Sequence, residues 1–316
     1  MVTGANGFIG QALIKSLCQT EYHVRATVRS ASALASLSDY QKQWSLKNLS
    51  IYNLGELSDT TDWSDVLTQV DTVIHCAARA HILRETNTDP LQIFRQMNTQ
   101  VTAHLAQQAS ALGVRRFIFL SSIGVLGRIS HMTPFTDESQ PNPQVPYAQA
   151  KWEAEQLLCA LPGNMDRVII RSPLVYGPGV KGNFGVLLNL ISKRIPLPFG
   201  AVKNRRQFIG IDNLVDFMMV CISQNAFINE TFLIADKEVL STTQLLRYLS
   251  EAMGKPMILL PVPHAWLKWV LHALGKSVLA EQLLGNLEIN SDKAWNLLGW
   301  KAPYTMKEQL LFIRNK

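Results

Sequence analysis

The sequence predicts an α/β fold, a doubly wound parallel sheet followed by a smaller, less regular C-terminal domain. Three observations predict it. Short β-branched runs alternate with longer helical runs as far as Arg171. A turn carrying Gly4, Gly7 and Gly10 joins the first strand to the first helix. From Pro173 the texture changes, with Pro173, Gly177, Pro178, Gly179, Gly182, Pro196 and Pro198 close together. Alternating strands and helices imply right-handed crossovers and parallel strands. The Pro/Gly cluster marks a boundary. The expected domains are therefore 1–173 and 174–316, with some later segments returning to the sheet.

Val2-Thr3 ends the first strand. Only Met1 and Val2 precede the turn, so this central strand is expected to be unusually short or clipped. Phe8, Ile9, Ala12, Leu13 and Leu17 recur at helical spacing and give the first helix. Tyr22 to Arg29 is a second strand and Asn48 to Leu54 a third. Thr61 to Gln69 is a short helix, with Thr61 and Asp62 as caps. Asp71 to Ala77 is a buried fourth strand. Pro90 to Leu112 is a long helix closed by Gly113. Arg115 to Ser121 is a fifth strand, Tyr147 to Leu161 a long helix, and Arg167 to Arg171 a sixth strand. Beyond the boundary come a strand near Arg206–Ile211, a helix over Asn213–Ser223, a strand near Thr231–Ile234 and two helical regions.

Bulk composition narrows the function. Apolar residues make up 47% and charged residues 17%, a globular balance that excludes a disordered or fibrous chain. The net charge is +6. No Lys/Arg run interleaved with aromatics accompanies it, so the excess points to an anionic small ligand and not to nucleic acid. Cys18, Cys76, Cys159 and Cys221 are far apart and have no metal-ligand spacing. They read as buried free thiols in a reducing cytoplasm, with no metal site. Ala265 to Leu284 is apolar but interrupted by Lys268, His272, Lys276, Glu281 and Gln282. It reads as an amphipathic helix and not a membrane span, with contact at a membrane surface as the lesser alternative.

The glycine turn is suited to phosphate. Glycine permits the tight turn and the close approach of backbone to a pyrophosphate, and the N–H groups of Phe8, Ile9 and Gly10 open the helix with its positive dipole end. Arg29-Ser30 closes the second strand, where this fold meets the adenosine ribose. An arginine there suits the 2′-phosphate of NADP, an acid the 2′-hydroxyl of NAD; the alternative is a solvated strand-end arginine. Glu56, followed by Leu57, either contacts the adenine amino group or is a solvated loop acid. Tyr147 and Lys151 are spaced i, i+4 and share a helix face. Free tyrosine titrates near ~10, too high for efficient proton transfer, and a neighbouring ammonium lowers it. Ser121-Ser122 ends the fifth strand, and a hydroxyl there can orient a substrate oxygen toward the tyrosine.

Taken together, Thr3-Gly-x-x-Gly-x-x-Gly10, His75-Cys76-Ala77-Ala78, Asn98, Ser122, Tyr147-x-x-x-Lys151 and Arg171-x-Pro173-x-x-x-Tyr176-Gly177-Pro178-Gly179 resemble the extended short-chain dehydrogenase/reductase family. The resemblance spans almost the whole chain. It implies a Rossmann domain carrying NADP or NAD and a smaller domain binding a nucleotide sugar. Ser122 and Tyr147 would hold the reacting oxygen. Lys151 would bind the nicotinamide ribose and tune Tyr147, Ala77 and Ala78 would border the cofactor, and Pro173 would line the nicotinamide site. Asn98 matches an asparagine that is mainly structural. Arg206-Gln-Phe-Ile-Gly-Ile-Asp212 resembles a segment whose arginine contacts the sugar-nucleotide diphosphate; a merely solvated basic loop is the alternative. Asn183 matches a residue on substrate phosphate or sugar. Leu197-Pro198-Phe199-Gly200 resembles the strand that brackets the uracil. The resemblance also implies a cytoplasmic homodimer built through the two long helices.

The residues just after the serine narrow the reaction. Ser122 precedes Ile123-Gly124, where dehydratases place Asp-Glu and decarboxylating relatives a glutamate. That leaves reversible hydride transfer at C4 of a UDP-sugar. With Arg29 favouring NADP, reduction of a UDP-4-keto-6-deoxy-N-acetylhexosamine is the first expectation. UDP-glucose or UDP-N-acetylglucosamine 4-epimerisation is the second. A non-catalytic NADP sensor is a third, against which stand the retained Tyr147 and Lys151. A dihydroflavonol-type carbonyl reductase shares the second strand, but the Arg206 segment argues against it.

Overall fold

The computed structural model describes residues 1–79, 89–180, 182–224 and 229–314. Two compact units share the chain. The first comprises Met1–Val125, Pro141–Arg171 and Val215–Phe232, and the second Leu126–Gln140, Ser172–Leu214 and Leu233–Lys316. The chain thus changes unit at Ser172, beside the expected boundary. It also lends 126–140 to the second unit, which the sequence did not announce.

The first elements are β1 (Val2–Thr3), α1 (Phe8–Leu17), β2 (Val24–Val28), α2 (Ala31–Gln43), β3 (Leu49–Asn53), α3 (Ser64–Leu67) and β4 (Thr72–His75). They continue with α4 (Pro90–Phe94), a π-helical stretch (Arg95–Gln100), α5 (Val101–Ala111), β5 (Arg116–Ser122), α6 (Pro146–Ala160) and β6 (Asp166–Ser172). The strands order as β3-β2-β1-β4-β5-β6-β9, where β9 is Asn229–Leu233. Parallel pairing sets Val2 opposite Ala26 on one side and Ile74 on the other. Strand order therefore reverses at β1, and the carboxyl ends of β1 and β4 flank the switch point where such sheets bind ligands.

Burial explains why this half is stable. β4 is buried at every position, and β5 at every position but its last. Trp63, Val66, Leu105, Phe117, Phe119 and Leu158 pack into one cluster against the sheet. Helix α2 was not foreseen. Its sequence, ASALASLSDYQKQ, buries only Ala33 and Leu37, so its apolar period is faint. Helix α3 is shorter than expected because Asp62 accepts from Ser64 N at 2.9 Å and ties its start. The cysteines are all free, but only Cys221 is buried as expected; Cys18 and Cys76 are half-buried and Cys159 is exposed.

The remaining elements are β7 (Val175–Tyr176), α7 (Gly182–Ser192), β8 (Ile209–Gly210), α8 (Ile211–Ser223), α9 (Thr242–Ala252), α10 (His264–Ala273), α11 (Ser277–Leu284), α12 (Asp292–Leu298) and α13 (Met306–Arg314). Strands β7 and β8 form a separate parallel pair. Helix α9 opens with a capping box, in which Ser241 and Gln244 satisfy each other's backbone N–H groups. The apolar 265–284 stretch is two helices, broken at Gly275, whose φ of +68° suits glycine. No helix among the described residues is long and apolar enough to cross a membrane.

The second unit is organised by buried Asp236. Its carboxylate accepts from Tyr176 Oη at 2.6 Å, Asn213 Nδ2 at 2.6 Å and Gly210 N at 3.1 Å. Gln309 Nε2 donates to the same tyrosine oxygen at 3.2 Å. Burial nonetheless outweighs these bonds and raises the Asp236 pKa to about 6. A raised carboxylate pKa means that the folded state prefers the proton. The stabilisation from protonated Asp236 is full below the unfolded value near ~4 and is lost as pH rises through about 6. Replacing Asp236 with Asn keeps an acceptor and removes the titration. Urea unfolding of Asp236→Asn should show a flatter stability profile between roughly pH 4 and 7 than the parent chain, which should lose up to about 3 kcal/mol across that window. Parallel profiles would remove this assignment.

Candidate active site

The glycine turn is fixed by close backbone contact. Gly4 has φ +66°, and a Cβ there would lie 2.7 Å from Ala77 N. A Cβ on Gly10 would lie 2.3 Å from Gly4 O. Both positions therefore exclude any side chain. Gly7 is the N-cap residue of α1; it donates to Gly4 O at 3.0 Å and offers no side-chain cap. The first-turn N–H groups of Phe8, Ile9 and Gly10 have no partner within the helix. A cradle that a Cβ would fill, opening on an uncapped helix start, fits a dinucleotide pyrophosphate.

A buried polar relay holds this turn against β4. Thr3 Oγ1 lies 2.7 Å from His75 Nδ1, and His75 Nε2 lies 2.9 Å from Thr102 Oγ1. Thr102 Oγ1 donates to Asn98 O at 2.9 Å, and Ala77 N donates to Thr3 Oγ1 at 3.2 Å. These contacts close only one way. Thr102 spends its proton on Asn98, so it accepts from His75 Nε2–H, and Thr3 then donates to Nδ1. Burial lowers the His75 pKa to about 3, which keeps this neutral tautomer. Asn98 lies in the π-helical stretch and grips the Arg79 backbone twice, at 2.8 and 3.0 Å. That is a structural role for Asn98. Ala77 is held beside the glycine turn by the same relay, and Ala78 follows it in the chain.

The proposed proton-transfer residues gather at the end of β5 and the start of α6. Ser122 is half-buried, and its Oγ accepts from Gly124 N at 3.1 Å. Tyr147 follows Pro146, which opens α6, and its ring meets Phe94 edge-on at 5.9 Å. Lys151, one turn later, is 1% exposed. Its Nζ donates to Leu120 O at 2.8 Å and sits 4.3 Å from the Phe119 ring centroid. Burial lowers its pKa to about 8, opposed by Cys76 and Glu155. Burial also raises Tyr147 to about 12. This corrects the expected direction: the Lys151 ammonium is engaged by a carbonyl, and desolvation decides the phenol.

A second motif lies behind the first. Arg171 forks onto Glu155, with Nη2–Oε2 at 2.6 Å, and Ser121 Oγ donates to the same carboxylate. Adjacent strand residues face opposite ways, so Ser121 turns inward while Ser122 is left at the half-buried strand end. Glu155, two turns from Tyr147 on the same helix face, was not expected from the sequence. Its spacing from Lys151 was the available signal.

On the adenosine side, Arg29 is exposed just after β2. Ser30 caps α2, accepting from Ala33 N at 3.2 Å. Glu56 is exposed beside Gly55, and Leu57 packs against the core.

In the second unit, Pro173 is buried at the exit of β6. Asn183 lies in α7, and its side chain is outside the described residues. Leu197 is 6% exposed and belongs to the core, while half-buried Phe199 packs beside it. Arg206 is 8% exposed. Its Nη1 donates to Gly285 O at 2.9 Å and Glu281 O at 3.2 Å, at the carboxyl end of α11. A cation there complements the helix dipole. Burial lowers the Arg206 pKa to about 10, so it remains charged at neutral pH.

Known proteins are similar to this chain over nearly its whole length. The chain is 39% identical over 313 residues to a UDP-glucose 4-epimerase of Vibrio cholerae, covering 98% of this chain and 92% of that one. It is 25% identical over 327 residues to the N-acetyl-α-D-glucosaminyl-diphospho-ditrans,octacis-undecaprenol 4-epimerase of Escherichia coli O157:H7, covering 98% and 92%. The fold matches the NAD complex of UDP-glucuronic acid 4-epimerase from Bacillus cereus with TM-score 0.78 and 22% identity, over 99% of this chain and 98% of that chain. The family model described as NAD dependent epimerase/dehydratase family matches residues 1–235. The chain is an enzyme of the NAD dependent epimerase/dehydratase family, built on the extended short-chain dehydrogenase/reductase fold.

Proposed function

We propose that this chain is an NAD-dependent 4-epimerase of a hexose carried on a diphosphate, with a UDP-hexose as the first substrate to test. The observation that carries the reading is the 39% identity, along nearly its whole length, to a protein named UDP-glucose 4-epimerase. Both relatives described above are named as 4-epimerases, and both names fit a sugar pyrophosphate. The sequence put C4 reduction first and epimerisation second; these relatives favour the reverse order. Elimination chemistry is disfavoured by the site itself. Ser122 is followed by Ile123 and Gly124, and the nearby carboxylate of Glu155 is taken up by Arg171 and Ser121.

In this reading NAD, when bound, would supply reversible hydride transfer at C4. The Gly4–Gly10 turn and the α1 N-terminus hold the pyrophosphate. Ser122 Oγ orients the C4 oxygen. Tyr147 Oη takes the proton from that oxygen and later gives it back. Lys151 binds ribose and, released from Leu120 O, favours the phenolate. Arg206 faces the substrate diphosphate with the guanidinium nitrogens beyond Nη1. An epimerase regenerates its cofactor within each turnover, so NAD suffices. Arg29 keeps NADP as the rival cofactor.

Purified protein should interconvert UDP-glucose and UDP-galactose, or their N-acetyl forms, without added reductant. Consumption of NADPH by a UDP-4-keto sugar with no epimerisation would overturn the reading in favour of reduction. Tyr147→Phe should cut turnover by about 10²–10⁴ while cofactor binding persists. In the cofactor-free chain, the ultraviolet difference titration of parent minus Tyr147→Phe should show a phenol titrating above free tyrosine, toward about 12. An ordinary or lowered value would refute the burial argument. Finally, Arg29→Ala should leave NADH affinity nearly unchanged if the ribose site takes NAD. A selective loss of NADPH affinity would show that Arg29 meets a 2′-phosphate.

A further inference from the structure

We propose that the outward face of α10 is a docking surface for anionic phospholipid bilayers. Trp266 and Trp269 are 67% and 68% exposed, and Val270 and Leu274 are 41% and 64% exposed. These positions recur at helical spacing and make one apolar stripe. Leu267 and Leu271 lie on a different arc and pack with Ala280 and Leu284 of α11, so the helix is already anchored without the stripe. Exposed apolar side chains also occur in the segment before the helix, Ile258 at 61% and Leu260 at 46%, and in α11, Val278 at 42%. Apolar side chains this large are rarely left in water together.

Charge selects the occupant. No acidic residue occurs between Glu251 and Glu281, whereas Lys255, His264, Lys268, His272 and Lys276 all do. His272 and Lys268 lie on the arc beyond Trp269, and Lys276 follows the helix end. A second copy docked by a two-fold axis would set these cations against their own equivalents. An anionic bilayer surface instead attracts them, and its interface suits indole, whose ring is apolar and whose N–H stays hydrated. The helix is too short and its surroundings too charged to insert; it would lie in the interface plane. None of these residues belongs to the catalytic or cofactor-binding set, so the inference stands apart from the proposed reaction.

The test is sedimentation of the full-length chain with vesicles of phosphatidylcholine, with and without phosphatidylglycerol. The chain should pellet with phosphatidylglycerol vesicles and much less with phosphatidylcholine alone, and added salt should release it. Trp266→Ser with Trp269→Ser should lower the partition coefficient by about tenfold or more. Lys268→Gln and Lys276→Gln should each lower it by about fivefold. The thermal midpoint and cofactor affinity of these variants should match the parent, which separates lost docking from lost folding. Brominated lipid should quench parent fluorescence and leave the double tryptophan variant largely unquenched. Failure of the parent to pellet at low salt would overturn the proposal, as would equal pelleting of the tryptophan variant. A parent dimer that this variant converts to monomer, with no vesicle binding by either, would assign the face to self-association instead.

Discussion

Two backbones meet at the start of this chain with no space between them for a methyl group. Gly4 lies against Ala77, and Gly10 lies against Gly4. That contact fixes the β1–β4 register, Thr3 opposite His75, and so fixes where the strand ends point. The relay through Thr3, His75, Thr102 and Asn98 then has a single donor sequence. Burial lowers the His75 pKa to about 3, so the ring carries no charge at neutral pH. A buried polar network that is fully satisfied specifies one arrangement, whereas a half-satisfied one would cost more than an apolar core. The glycine turn is therefore tied to β4 by both its backbone contact and this network.

What the sequence disclosed and what it withheld divide along one physical line. Glycine spacing, the Tyr147–Lys151 step and the strand-end serine are local patterns, and each was legible. The parallel, doubly wound class of the sheet followed from alternation and handedness, and its strand order came only with the structure. Helices α2 and α7 were missed because one has a faint apolar period and the other begins inside a glycine-rich stretch, and the two helical regions expected after Ile234 are the five helices α9 to α13. The partners of Glu155, Asp236 and Arg206 lie far along the chain, and no spacing rule announces them. Arg206 is instructive. Its charge suggested an anion, yet the fold first uses it to satisfy the last carbonyls of α11. A guanidinium has five donors, and two carbonyl bonds to one nitrogen leave its fork free for a second task.

The choice between reduction and epimerisation was illegible for a chemical reason. Both reactions move a hydride at C4 and a proton at its oxygen, and both need the same serine, tyrosine and lysine. The residues around the reacting atoms do not record whether the ketone is released or re-reduced in place. That information lies in how the sugar is held, and homology over the full length carries it more directly than any motif.

The resting acid/base pair clarifies how such a site could be controlled. Burial separates the two groups in the wrong sense for catalysis, raising Tyr147 to about 12 and lowering Lys151 to about 8. The phenol at rest is a proton donor and a poor base. Moving the Lys151 ammonium from Leu120 O toward Tyr147, one helical turn away, would lower the phenol by about one to three units. That shift alone still leaves it above neutrality. Under the proposed function, an oxidised nicotinamide ring beside the phenol would add a second positive charge and a reduced ring would not. On that proposal Tyr147 would accept a proton when C4 is oxidised and return it when the ketone is reduced. The same burial that makes the isolated tyrosine inert couples its proton to the charge of whatever lies beside it.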